Sequence, residues 1–239
     1  MPTIVALGEM LIDFAPVAAD AAGYPTLKAQ PGGAPCNFLA ALQKYGCSTA
    51  MIGKAGDDRF GRLLIQTAAD CGIATEGIVM DASVFTTMAF VTLDTAGNRE
   101  FSFARKPGAD TCLTEHEVDY SLIDACRVFH FGTLSLTDEP ARTATQKAVA
   151  YAKARGKFIS FDPNLRKLLW TTPRQQRRWN GDCIRRISSK SAMKKWISCG
   201  TPPRRQRRKS CCGSTASALF MSPWVPGAAI LPTASAAAR

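Results

Sequence analysis

Pro31-Gly32-Gly33-Ala34-Pro35-Cys36-Asn37 is the stretch on which the reading of this chain turns. Two adjacent glycines let the backbone adopt positive φ and let a ligand approach with no Cβ in the way. Pro35 suits the first turn of a helix, where its missing N–H is no loss. Asn37 then offers both a donor and an acceptor, which is what a hydroxyl-rich ligand requires. Taken alone, the same letters also describe an ordinary loop entering a helix.

Outward from this turn, apolar runs alternate with amphipathic stretches as far as about residue 170. That is the βαβ rhythm of a parallel sheet covered by helices, an α/β fold. Residues 4–7, 49–52, 128–131 and 158–161 are apolar runs suited to buried strands, and 37–45, 60–71 and 139–155 have helical spacing. Gly46, Gly72 and Gly156 follow those helices at the capping position. Thr114 with Glu117 forms a capping box that predicts a further helix start. One part breaks the rhythm: 87–93 and 99–105 read as strands joined by a turn at Ala96-Gly97-Asn98, a hairpin that is either a projecting flap or a structural edge.

Several side chains in this frame suit chemistry. Gly8-Glu9-Met10-Leu11-Ile12-Asp13 ends a strand and delivers a carboxylate beyond it, and ligands in open α/β sheets bind outside the carboxyl ends of strands. Asp13 there is either a ligand for two neighbouring hydroxyls or a solvated loop residue. Phe103 and Arg105 alternate, so they share a face and could cover and hold a ring, although ordinary alternation on a half-buried strand explains them too. Phe161-Asp162-Pro163-Asn164-Leu165-Arg166 runs a strand into a turn and stands Arg166 at its carboxyl end, where it can neutralise negative charge. His130, inside an apolar strand, is read as a core histidine.

The first stretch, followed by Gly46, Gly56 and the glycine pair in Gly56-Asp57-Asp58-Arg59-Phe60-Gly61, resembles the first signature of the ribokinase-like (PfkB) carbohydrate kinases. Its wording is most similar to fructokinases, with Leu39 departing from the small residue usual there. The Asp-Pro-Asn-x-Arg string is similar to the family's mid-domain segment. The resemblance implies a ribokinase-like parallel-sheet fold with a small β lid, built here from about 8–27 and 84–106 within a unit spanning 1–170. It implies ATP-dependent, Mg²⁺-assisted phosphorylation of a sugar hydroxyl, fructose first, with 2-keto-3-deoxygluconate kinases and ribokinases sharing most motifs. It further implies that Asp13, Gly32, Gly33, Asn37, Phe103, Arg105 and Asn164 bind the sugar, that Arg166 supports phosphoryl transfer, and that a homodimer through the lid is available.

Composition shifts after residue 170. Residues 1–170 hold 16 Lys+Arg against 18 Asp+Glu, whereas 171–239 hold 14 against a single acid, Asp182. The net charge of +11 is therefore confined to the tail. A nucleic-acid arm would explain the charge, but not Cys211-Cys212 or three of the four tryptophans. Regrouping codons around Met193 and Trp196, with AAG for Lys194 and Lys195, yields Glu-Glu-Val. The window 220–225 is compatible with Tyr-Val-Thr-Leu-Gly, and both strings look like family segments in the right order. The expectation is a frameshift soon after Trp170 and a non-native second half. The family's Gly-Ala-Gly-Asp base motif is absent, the nearest approach being Pro226-Gly227-Ala228-Ala229. A chain lacking that half is expected to be impaired as an enzyme and marginally folded, with uncovered strand edges. Such a chain could persist as a sugar-binding module without turnover, or as a basic-tail nucleic-acid binder.

Nine cysteines without metal-ligand spacing suit reduced thiols in a cytoplasmic protein. No secretory leader can be drawn at the N-terminus. Prolines at 223, 226 and 232 argue against a membrane span in the uncharged stretch 210–238.

Overall fold

The strand Ile4–Leu7 (β1) is apolar at every position, and its side chains divide by a period of two. Ile4 and Ala6 pack with Cys36, Leu39 and Leu64, whereas Val5 and Leu7 pack with Ile123, Phe129 and Ala148. A strand with two apolar faces must lie between two layers, and β1 does so at the centre of a parallel sheet. The computed structural model describes residues 1–93, 99–164 and 169. On either side of β1 run β4 (Thr49–Gly56) and β8 (Val128–Gly132); β5 (Ala74–Asp81) and β9 (Phe158–Asp162) complete the order β5-β4-β1-β8-β9. All four pairings are parallel.

Two helices cover one face, α1 (Ala34–Gln43) and α2 (Arg59–Asp70), and two cover the other, α3 (Tyr120–Ala125) and α4 (Ala141–Ala154). The three helices expected from spacing are thus present within a few residues, and the glycines behind them stand at φ 78, 80 and 67 for Gly46, Gly72 and Gly156. The helix expected at Thr114 is different. Glu117 does reach back to the Thr114 N–H at 2.7 Å, but only the 3-10 turn Glu115–Glu117 follows. The helix proper waits for Asp119, whose carboxylate caps α3 through the N–H groups of Ser121 and Leu122.

The hairpin belongs to a second sheet. β6 (Met88–Leu93) and β7 (Arg99–Ala104) pair antiparallel, and β6 runs parallel to β2 (Leu11–Ala19), which pairs with β3 (Pro25–Gly32). The order is β3-β2-β6-β7. Phe14 of β2 ties this sheet to α2, meeting Phe60 edge-on at 5.5 Å and stacking on Phe90 at 5.2 Å. The first strand pair extends beyond the expected 8–27, because Leu11 registers with Gly32. Gly32 therefore closes a strand instead of floating in a loop. The turn at 96–98 lies outside the described residues.

Candidate active site

The carboxyl ends of β1, β8 and β9 lie side by side in the sheet, and Asn164 follows β9. Asp13 is not in the loop beyond β1 but inside β2, paired with Gln30, while Gly32 ends β3, Asn37 lies in α1 and Phe103 in β7. After β1 comes Gly8-Glu9-Met10, and after β8 comes Thr133, which is buried and donates its hydroxyl to the carbonyl of Asn164 beyond β9. That bond draws the second and third loops together and puts half-buried Asn164 at the site's rim.

The glycine turn splits its tasks between its two glycines. Gly33 alone takes the left-handed conformation, at φ 118, as the residue preceding α1. A Cβ on Gly33 would stand 2.5 Å from the Glu9 carbonyl oxygen. Gly32 instead makes room: a Cβ there would overlap Asp13 Oδ2. The turn thus holds Asp13 against the start of α1, where Pro35 occupies the first turn as expected. Asn37 sits in the same turn, and its Oδ1 is buried with no hydrogen-bond partner among the described residues. Asp13, Gly32, Gly33 and Asn37 are brought together.

Arg105 is placed differently from expectation. It does share the inward face with Phe101 and Phe103, which stack at 6.2 Å. Its guanidinium, however, is 2% exposed and its donors are spent on protein acceptors. Nε and Nη2 reach Asp110 at 2.6 to 3.1 Å, Nη1 donates to Thr137 Oγ1 at 2.7 Å, and Nη2 also reaches the Leu134 carbonyl at 3.0 Å. Asp110 in turn accepts from Thr87 Oγ1, and the Thr87 carbonyl accepts from Ile12 N–H at 3.0 Å. Arg105 is therefore a clamp that fastens the second sheet to the loop after β8. Phe103 is half-buried on the same face, and Arg166 lies outside the described residues.

Two further expectations resolve structurally. His130 is a core histidine: its Nδ1 meets Ser160 Oγ at 2.9 Å, its ring stacks on Phe38 at 4.0 Å, and burial pushes its pKa down to about 4. The second glycine pair of the signature is a joint. A Cβ on Gly61 would collide with the Gly56 carbonyl, and Asp58 between them binds the N–H of Phe60, Gly61 and Thr86, each at 2.8 Å.

Sequence reasoning missed Glu9 and Asp110. Glu9 is 3% exposed; its Oε1 accepts the Ala34 N–H at 3.1 Å, while its Oε2 is buried without a partner. Burial raises its pKa to about 7, helped by the charge of Asp110 and opposed by its own backbone N–H, Arg105 and the Ala34 N–H. The one available signal was a carboxylate four residues before Asp13, inside an otherwise apolar strand end. Among the described residues no group of three or more His, Cys, Asp or Glu side chains could hold a metal ion. No helix among them is long and apolar enough to cross a membrane.

A parallel sheet between two helix layers, with a smaller sheet clamped over the strand ends and a glycine turn holding a carboxylate, is the architecture of kinases that act on sugars. Fructokinase from Xylella fastidiosa superposes with a TM-score of 0.68 at 31% identity, over 72% of this chain and 54% of that one. The same protein with bound ATP gives 0.66 at 32%, over 72% and 52%. The chain belongs to the pfkB family of carbohydrate kinases, whose sequence pattern matches residues 1–181. Fructokinase-1 of Zea mays is 45% identical over 176 residues, 73% of this chain and 54% of that protein. Probable fructokinase-5 of Arabidopsis thaliana is 46% identical over 174 residues, 71% and 53%. The chain spans about half the length of the curated relatives it matches.

Proposed function

We propose that the protein is built for transfer of a phosphoryl group from ATP to a sugar hydroxyl, with fructose the first substrate to test. The observation that carries this is the turn itself, where Gly32 leaves room for the Asp13 carboxylate and the first turn of α1 holds Asn37, whose Oδ1 has no hydrogen-bond partner among the described residues. A carboxylate and a buried unpaired acceptor at one helix start suit a ligand that brings several hydroxyl donors. Asp13 takes a pair of hydroxyls, Asn37 takes one, and Phe103 covers the ring under a lid formed by the second sheet. Asn164 is assigned to the sugar as well, and Arg166, outside the described residues, to the support of phosphoryl transfer. Mg²⁺ would neutralise charge on the nucleotide when bound; no step is assigned to it here.

A second outcome is favoured by one sequence fact. The carboxylate that would take the proton from the sugar hydroxyl, expected in Gly-Ala-Gly-Asp, is not in the 239 residues. The chain as it stands is then a sugar binder without steady turnover. Residues 171–239, outside the described residues, are proposed to be out of frame. The matches to curated fructokinases, which take in 71–77% of the chain, support this. Resequencing the coding DNA past the Leu165 codon tests it, a single-base change restoring Glu-Glu-Val being the expected result.

Thermal unfolding with fructose, ribose or 2-keto-3-deoxygluconate, together with ADP release on adding ATP, separates these outcomes. A sugar-dependent rise with ADP release supports the kinase, and a rise alone supports the binder. No rise and no ADP overturns both. Binding to oligonucleotides that weakens steeply with salt and vanishes without 171–239 would favour the basic tail instead. A cytoplasmic location is supported by the five unpaired cysteines of the described residues. A homodimer through the second sheet is supported by Val17, Tyr24 and Leu27, exposed at its far end.

A further inference from the structure

Glu9 presses on the sugar turn from two sides. Its side-chain Oε1 takes the first N–H of α1 at Ala34, and its main-chain carbonyl lies where a Cβ on Gly33 would stand. Its other oxygen, Oε2, is buried with no partner, and so is Oδ1 of Asn37 three positions along the helix from Ala34. Asn37 lies in the first turn of α1, whose first N–H Glu9 takes, so both orphan acceptors belong to the same end of the helix. Buried polar atoms without partners are rare, and two at one turn mark a place where the resting protein is not finished.

We propose that Glu9 is a positioning residue for sugar binding, its carboxyl fixing the Gly33–Ala34 junction so that Asp13 and Asn37 meet the same ligand. This rests on the sugar reading of the turn. The carboxyl does its work as the acid: protonated, it places no charge in the buried site, while Oε1 keeps the Ala34 N–H. Around it stand Asp110 from the 3-10 turn after β7, Arg105 at the end of β7, and Cys36 of α1, whose thiol burial and the Glu9 charge keep protonated. Arg105 is already committed to Asp110, so an ionised Glu9 adds a buried negative charge with no cation of its own. Ionisation occurs near neutrality, with the pKa raised to about 7 chiefly by burial. The Ala34 N–H favours the carboxylate, but the buried charge favours states in which the side chain reaches water, and those states open the junction. Sugar affinity therefore falls as pH rises through this range.

The test follows the Ala34 amide by nuclear magnetic resonance from about pH 5.5 to 8.5, and fructose affinity by calorimetry over the same range, in the wild type, Glu9→Gln and Glu9→Ala. The wild-type Ala34 signal is expected to titrate near pH 7, with affinity falling several-fold across the same interval. Glu9→Gln keeps an acceptor and a donor without a titration, so its Ala34 signal and its affinity stay constant to within about twofold. Glu9→Ala, still folded by circular dichroism, loses roughly tenfold in affinity at every pH. If Glu9→Ala does not fold, the flat profile of Glu9→Gln against the sloping wild type decides. Equal fructose affinity in the wild type and Glu9→Ala, or a wild-type slope that Glu9→Gln retains, overturns the proposal alone. A wild type that binds no sugar overturns the sugar reading and the proposal with it.

Discussion

Gly32 and Asp13 occupy one another's space: a Cβ on the first would overlap Oδ2 of the second. The glycine is therefore required by the carboxylate, not by its own backbone, since Gly32 is outside the left-handed conformation that Gly33 adopts. Gly32→Ala is expected to keep the fold and to push the Asp13 carboxylate off its mark. Fructose affinity should drop ten- to a hundredfold, about 1.4 kcal/mol per factor of ten. Gly33→Ala should behave differently, losing about 1–3 kcal/mol of stability as well, because it strains a residue at φ 118. Calorimetry with parallel melting curves checks both. Undiminished affinity in Gly32→Ala would remove Asp13 from the sugar site.

The Arg105 clamp leads to a prediction about stability. Its ion pair with Asp110 is sealed, the side chains being 2% and 1% exposed. Removing one partner of such a pair leaves an uncompensated buried charge, which costs about 3–5 kcal/mol. Arg105→Met should lower stability by that order, and a second change at Asp110 to Leu should recover part of it. Urea unfolding of the two single variants and the double variant measures the coupling. Additive losses would mean that the clamp does not hold the second sheet to the loop after β8.

The parallel sheet was legible because β1, β4 and β8 are buried strands with apolar runs, while Gly46, Gly72 and Gly156 punctuate the helices. β9 was placed correctly, but the buried strand expected at 158–161 is an edge strand whose Phe158 is 63% exposed. β5 (Ala74–Asp81) escaped, since Glu76 and Gly77 interrupt its pattern and its support comes from pairing with β4. The glycine turn was legible where a motif has local grammar, at Gly33 with its positive φ and at Pro35 in the first turn of α1. The site was not legible at Arg105, whose partners Asp110, Leu134 and Thr137 lie up to 32 positions away. Nor was it legible at Glu9, where burial by other elements sets the chemistry. The Gly56–Gly61 pair, read from sequence as part of the family signature, serves as a joint.

That joint gives a third expectation. Asp58 caps α2 through Phe60 and Gly61, and its second oxygen takes the Thr86 N–H at 2.8 Å, so one carboxylate fastens β4, α2 and the approach to β6. Loss of an ordinary N-cap costs about 1 kcal/mol, and the added tie to Thr86 raises the figure for Asp58→Ala to about 2 kcal/mol or more. Asp58→Asn should recover part of the loss, because its side-chain oxygen still accepts. Chemical unfolding decides the size, and amide exchange at Thr86 shows whether the tie opens. A loss below about 0.5 kcal/mol would mean that the cap is redundant.

Glu9 and His130 bias stability in opposite directions, and the wild type conceals both. Burial raises Glu9 from 4.5 to about 7, so its contribution is whole below pH 4.5 and is lost as pH climbs through 7. Burial lowers His130 from 6.5 to about 4, so the fold is unpenalised above pH 6.5 and loses stability as pH falls through 4. Each full shift corresponds to roughly 3 kcal/mol. Between about pH 4.5 and 6.5 the two slopes oppose one another, and these two groups together leave the wild type nearly flat there. Removing either should unmask the other. Glu9→Gln should gain stability steadily as pH rises from 4 to 6.5, the histidine's own signature. His130→Gln should lose stability from pH 4.5 to 7, the signature of the glutamate. Urea midpoints at half-unit steps of pH reveal the two slopes, and the double variant should be flat again. Parallel profiles in the wild type and both single variants would place the titrations elsewhere in the molecule.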